Sequence, residues 1–192
     1  MKRIGLTGGI GSGKSFVADL LTKMGYPVYY SDSRSKELTK SNPTIREGLI
    51  AMFGEEVFKE EGLNTTLIAE KMFQDDALRL RINQLIHPIV RKDFEEWVSK
   101  QDKDLVFNEA AILFETGAYK TLDATILVYA PESLKIERVM RRENCSKEEV
   151  LARMNKQWSD EKKMKLTNYL IFNDEKIPLL VQIEKCITML LD

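Results

Sequence analysis

The sequence predicts an α/β protein on a five-stranded parallel sheet, with a helical insertion after the second strand and an arginine-bearing helical hairpin before the fifth. Three observations carry this. A glycine-rich turn near the N-terminus links a short apolar run to an amphipathic stretch. Further β-prone runs recur at residues 28–31, 105–108, 124–129 and 169–172. The segments between them space their apolar residues with a helical period, and strands separated by helices pair in parallel.

The first strand, Ile4-Gly5-Leu6, leads into Gly8-Gly9-Ile10-Gly11-Ser12-Gly13-Lys14-Ser15. A glycine, four free positions and then Gly-Lys-Ser, set between strand and helix, form the phosphate-binding loop pattern. Glycines let the backbone wrap a polyphosphate closely, so that N–H groups and the positive end of the next helix point at the anion. Gly9, Gly11, Ser12 and Gly13 are therefore candidate nucleotide contacts. Lys14 is suited to reach the β- and γ-phosphates, and the Ser15 hydroxyl to hold Mg²⁺.

Composition narrows the partners. A chain of 192 residues, 43% apolar and 31% charged, can bury a sizeable core as one domain with an insertion. It has no run of about 18 apolar residues, and no signal-peptide core follows Met1-Lys2-Arg3, so a cytoplasmic protein with no membrane partner is expected. Basic and acidic residues number 29 and 30, without the basic excess of a nucleic-acid binder. A small anionic ligand fits better. Cys145 and Cys186 match neither a metal pair nor a redox motif and read as free thiols.

The second strand follows the turn Gly25-Tyr26-Pro27, and Asp32 comes directly after it, on the carboxyl rim where open parallel sheets bind ligands. Two readings of Asp32 stand: a carboxylate at the reaction centre, or the N-cap of the helix that Ser33-Arg34-Ser35-Lys36-Glu37-Leu38 begins. Residues 43–101 have helical spacing throughout. Within them His87-Pro88 predicts a helix start, with Pro88 at the first helical position and His87 as cap. As the chain's only histidine, His87 is also a candidate for catalysis.

The third strand ends in Asn108-Glu109, without the aspartate that often supports Mg²⁺ in phosphoryl-transfer proteins. After Pro131 one helix carries Arg138, Arg141 and Arg142, Asn144-Cys145-Ser146 breaks it, and a second carries Arg153, Lys156 and Gln157. Arg138 and Arg142 share a helix face, which predicts a lid that clamps the transferring phosphoryl group; Glu137 and Glu143 offer ion-pair partners instead. Asn155-Lys156-Gln157-Trp158 lacks the aspartate of a guanine reader, which argues against a regulatory GTPase. Residues 177–191 form a closing amphipathic helix.

Taken together, the chain resembles the dephospho-coenzyme A kinase family. The residues that carry the likeness are the string from Ile4 to Ser15, Asp32, Ile86-His87-Pro88-Ile89-Val90, Leu113-Phe114-Glu115, the Arg138 to Gln157 hairpin and Ile171-Phe172-Asn173. The resemblance implies a three-layer P-loop kinase fold and transfer of the ATP γ-phosphoryl group, with Mg²⁺, to the ribose 3′-hydroxyl of 3′-dephospho-CoA. It implies a nucleotide-binding core of residues 1–42, 102–131 and 166–192, a helical CoA-substrate domain of residues 43–101 and a lid of residues 132–165. Implied nucleotide contacts add Phe16, Arg138 and Asn173 to the loop. Implied substrate contacts are Asp32, His87, Phe114, Glu115 and Arg153, with Asp32 as the base and Lys14, Arg138 and Arg142 as the other catalytic groups. A monomer or weak homo-oligomer is expected. The chain departs from the family pattern at Ala111, where a proline is usual, at Thr167-Asn168, where Ala-Asp is usual, and in Asn173-Asp174-Glu175, where Asn-x-Gly is usual.

Overall fold

The chain begins with β1 (Lys2–Thr7), α1 (Lys14–Lys23) and β2 (Val28–Tyr30). Next come α2 (Ser31–Ser41), α3 (Pro43–Phe53), the short antiparallel pair β3 (Phe58–Lys59) and β4 (Gly62–Leu63), then α4 (Thr65–Gln74) and α5 (Asp76–Val98). The sheet resumes with β5 (Leu105–Glu109) and β6 (Ala124–Tyr129). The helices α6 (Glu132–Glu143), α7 (Lys147–Met154) and α8 (Asp160–Met164) follow, before β7 (Tyr169–Phe172) and α9 (Leu179–Leu191). This is a computed structural model that describes residues 1–59 and 62–192 and, within them, every side chain except those of residues 72–74 and 76.

Strands β2, β5, β1, β6 and β7 lie side by side in that order and are all parallel, as the sequence predicts. β1 leads on to β2 and β5 to β6, so connections leaving these two neighbours run to opposite sides of the sheet. Such a reversal opens a crevice beyond the strands' carboxyl ends. One face of the sheet presents Ile4, Leu6, Phe107, Ile126, Val128 and Ile171 to Val17, Ala18 and Leu21 of α1 and Ile183, Cys186 and Leu190 of α9. On the other face Gly5 lies against Leu113, Leu122 and Thr125. Three layers result, with Cys186 buried in the first; Cys145 is half-buried and both thiols are free.

Two compact units are resolved, Met1–Tyr30 with Gln101–Asp192, and Ser31–Lys100. The second therefore starts earlier than residue 43. The cause is α2, which packs on α3 and α5, places Leu38 among Ile45, Leu49, Phe53 and Ile82, and forks Arg34 onto both Asp93 oxygens at 2.8 Å. Residues 132–165 belong to the first unit, where Ile136, Val139 and Val150 form the core of the α6–α7 hairpin. Asn144, at φ 50°, turns the chain between those helices, and Ser146 and Glu149 form a capping box that starts α7.

His87 and Pro88 do not open a helix. They lie inside the 23-residue α5, which Asp75 caps by accepting the Leu78 N–H at 2.9 Å. Pro88 cannot donate to the preceding turn, a local cost of about 3 kcal/mol. Packing of Ile82, Leu85, Ile86, Ile89 and Val90 in the second unit's core offsets it. The second hairpin helix is also shorter than expected: α7 stops at Met154, so Lys156 and Gln157 lie in the turn before α8. Among the described residues no helix is long and apolar enough to cross a membrane.

Candidate active site

β1 ends at the glycine-rich loop, and α1 starts from it. Gly13, at φ 89°, is the N-cap of α1, and Gly11 has φ 79°, both in the left-handed region that a Cβ disfavours. Space excludes a side chain as well. A Cβ on Gly11 would stand 2.4 Å from the Lys135 carbonyl oxygen, and one on Gly13 would stand 2.1 Å from the Asn173 amide nitrogen. The loop is thus gripped from outside by α6 and by the residue after β7. Its own turn is closed by the Ser12 N–H donating to the Gly9 carbonyl at 3.0 Å, while the Asn173 side-chain amide donates to the Ser12 carbonyl at 2.8 Å.

Lys14 and Ser15, on the first turn of α1, meet the same acid. Glu109 Oε1 lies 3.1 Å from the Lys14 ammonium and accepts the Ser15 hydroxyl at 3.1 Å. Glu109 is 3% exposed and ends β5, in register with Leu6 of β1 and Tyr30 of β2. A hydroxyl and a carboxylate at one point are hard oxygen donors, the kind that Mg²⁺ takes together with phosphate oxygens and water. These residues therefore fit a magnesium-bound nucleotide. The sequence reading missed Glu109 because it sought an aspartate; the available signal was an acid at the carboxyl end of the strand that pairs with β1.

Arg138 joins the loop through Asn173. Its Nη2 donates to the Asn173 carbonyl at 3.2 Å, to Asn173 Oδ1 at 3.4 Å and to Glu175 at 3.0 Å. Its Nη1 is buried and has no hydrogen-bond partner among the described residues. An unpaired buried guanidinium N–H is costly unless an acceptor arrives, and phosphate is a matching one. Arg142 and Arg153 share one acid. Both pair with Glu143, Arg142 at 2.5 Å, and Arg153, followed by Arg142, holds that carboxyl down to about 2. Arg141 takes Glu137 at 2.6 Å. The acids that offered an alternative to the phosphoryl clamp are thus engaged.

The remaining candidates separate. Phe114 is 1% exposed and packs on Tyr119, a core position. Glu115 is a strut: its Oε1 accepts the Trp158 N–H at 2.9 Å and lies 3.0 Å from the ammonium of the fully buried Lys163. Its Oε2 is buried without a hydrogen-bond partner among the described residues. Phe16 is exposed on α1. In the second unit, Asp32 sits within the first turn of α2, not at its cap, and His87 is half-buried on α5. Burial, and then the charge of Arg91, holds the His87 imidazole below its ordinary value. Asn168, where the family pattern has aspartate, accepts the Thr125 N–H at 2.9 Å and so pins β7 to β6.

Comparison with known proteins decides the family. The dephospho-CoA kinase family model matches residues 2–178. The chain belongs to the dephospho-CoA kinase family. This kinase carries out ATP-dependent phosphorylation of dephospho-CoA, in coenzyme A biosynthesis. It is 43% identical over 189 residues to a dephospho-CoA kinase of Bacteroides fragilis, covering 98% of the kinase and 92% of that relative. A solved Thermus thermophilus structure is 35% identical, with a TM-score of 0.85 over 99% of the kinase and 96% of that chain. The dephospho-CoA kinase of Campylobacter jejuni, 23% identical, shares the fold with a TM-score of 0.68 over 98% of the kinase and 95% of that chain.

Proposed function

We propose that the kinase moves the γ-phosphoryl group of ATP, bound with Mg²⁺, onto the ribose 3′-hydroxyl of 3′-dephospho-CoA, with the loop, Lys14, Ser15, Glu109, Arg138 and Asp32 carrying the reaction. The observation that supports this most is the meeting of Lys14 and Ser15 on Glu109 at the mouth of the loop. Phosphoryl transfer passes through a loose transition state, so the protein mainly positions groups and neutralises charge. Lys14 exchanges its carboxylate partner for β- and γ-phosphate oxygens. Ser15 and Glu109 would hold the metal, which would supply positive charge to offset that of the phosphates. Arg138 offers its unpaired Nη1 to the nucleotide, and Asn173 keeps it there.

Asp32 is the base that orients the acceptor hydroxyl and takes its proton. Support comes from the chain itself: Asp32 lies two residues past Tyr30, the strand partner of Glu109. His87 and Arg153 remain proposed acceptor contacts. Phe114 and Glu115 serve through the packing that supports the site. The test is incubation with ATP, Mg²⁺ and dephospho-CoA beside a panel of other alcohols and nucleoside monophosphates. ADP and coenzyme A should form together, and only with dephospho-CoA; faster turnover of another acceptor would overturn the assignment.

A further inference from the structure

Gln157 lies in the turn between α7 and α8, yet its side chain reaches the phosphate loop, where Oε1 accepts the Ile10 N–H at 3.0 Å. It does not stand alone. The atoms nearest to where a Cβ on Gly9 would project are Asp160 Oδ1 at 3.4 Å, Lys135 Nζ at 3.6 Å and Gln157 Oε1 at 3.8 Å. Lys135 is 5% exposed, and its ammonium pairs with Asp160 at 2.5 Å. An amide, an ammonium and a carboxylate therefore converge over one glycine. Gln157 is itself fixed: its N–H donates to the Met154 carbonyl at 3.0 Å, and the next N–H, of Trp158, is anchored on Glu115.

From this convergence we infer that Gln157 is a positioning residue for the phosphate loop, with the Lys135–Asp160 pair holding the turn that presents it. An amide bonded to a protein acceptor keeps its peptide plane fixed. Here that plane is Gly9–Ile10, whose carbonyl also accepts the Ser12 N–H that closes the turn. The later amides and Lys14 are then presented in one arrangement before a nucleotide arrives, which lowers the ordering cost of binding. A cavity of about 260 Å³ lies beside the contact, lined by Gly9, Ile10, Lys135, Gln157, Trp158 and Asp160. It has room for water to replace a lost acceptor. Removing the contact therefore loosens the loop without unfolding the chain.

The inference rests on the functional reading above, so the test measures ATP binding without any acceptor. Gln157→Met keeps the length and removes the oxygen; Gln157→Glu keeps an acceptor. With Gln157→Met, titration calorimetry should show Mg²⁺–ATP affinity weakened on the order of tenfold, the loss of one hydrogen bond. The Ile10 amide should exchange faster by a similar factor, with the melting temperature held and the KM for dephospho-CoA within about twofold of wild type. Gln157→Glu should restore protection of the Ile10 amide. If wild type binds ATP and Gln157→Met binds it equally, or if Ile10 stays as protected, the inference falls alone. If wild type does not bind ATP, the functional reading falls and takes the inference with it.

Discussion

Replacing Glu109 by Gln keeps its volume and removes its charge, and the structure predicts two opposite effects. In the free kinase the carboxylate sits 3.1 Å from the Lys14 ammonium, whose side chain is 17% exposed. At an effective dielectric of about 20, such a pair attracts with roughly 5 kcal/mol before desolvation is subtracted. ATP without metal must displace that attraction and also meets the negative charge of Glu109. Glu109→Gln should therefore bind metal-free ATP more tightly, by about tenfold if a quarter of the gross attraction survives desolvation. The same change removes an anionic oxygen from the proposed metal site, which should raise the Mg²⁺ concentration for half-maximal activity about 10- to 100-fold. Calorimetric ATP titrations in chelator, set against a coupled assay over a Mg²⁺ series, read the two shifts separately. Weaker metal-free binding together with an unchanged Mg²⁺ requirement would refute the reasoning and leave Glu109 as a brace for α1.

Asp32→Asn should lower turnover by roughly 10²–10⁴-fold while ATP affinity stays within a few fold; near-normal turnover would remove the base. Lys163→Met strands Glu115 in the buried pair at 3.0 Å and should cost about 3–5 kcal/mol. At about 2–4 °C per kcal/mol for a chain of this size, the melting temperature should fall by on the order of 10 °C. The double change with Glu115→Gln should recover part of that loss, and full additivity would refute the pairing. His87 binds its proton less readily in the folded chain than its unfolded reference of 6.5. The unfolded state therefore takes up protons first, and stability is lost as pH falls from about 6.5 through the folded value. Melting curves of His87→Gln should lack that component of the pH dependence; an unchanged slope would contradict it.

Local chemistry made the sheet readable. Each sheet strand is a short β-prone run, the loop declares itself by Gly11, Gly13, Lys14 and Ser15, and Asn144-Cys145-Ser146 marks the hairpin turn. What escaped depends on residues far apart in the chain. Glu109 matters because parallel register sets the end of β5 beside β1, and register is a property of pairing, not of either strand. Phe114 looked available for contact because its neighbours belong to a family motif, yet packing against Tyr119 buries it. Pro88 misled because a proline inside a helix is locally unfavourable, while the apolar residues around it decide the outcome through tertiary packing. Gln157 lies past the end of α7, and its contact with the Ile10 N–H spans 147 positions, which no local pattern reveals.

The bond from Asn173 to the Ser12 carbonyl joins residues 161 positions apart. A growing chain therefore displays its glycine turn long before it can finish it, because the side chain that braces Ser12 and orients Arg138 is synthesised 161 positions later. At about 5–20 residues per second, ribosomes leave that interval on the order of ten to thirty seconds long. Bracing of the glycine turn is in this sense deferred during synthesis, and only a chain that has laid down β7 and the residue after it has that brace.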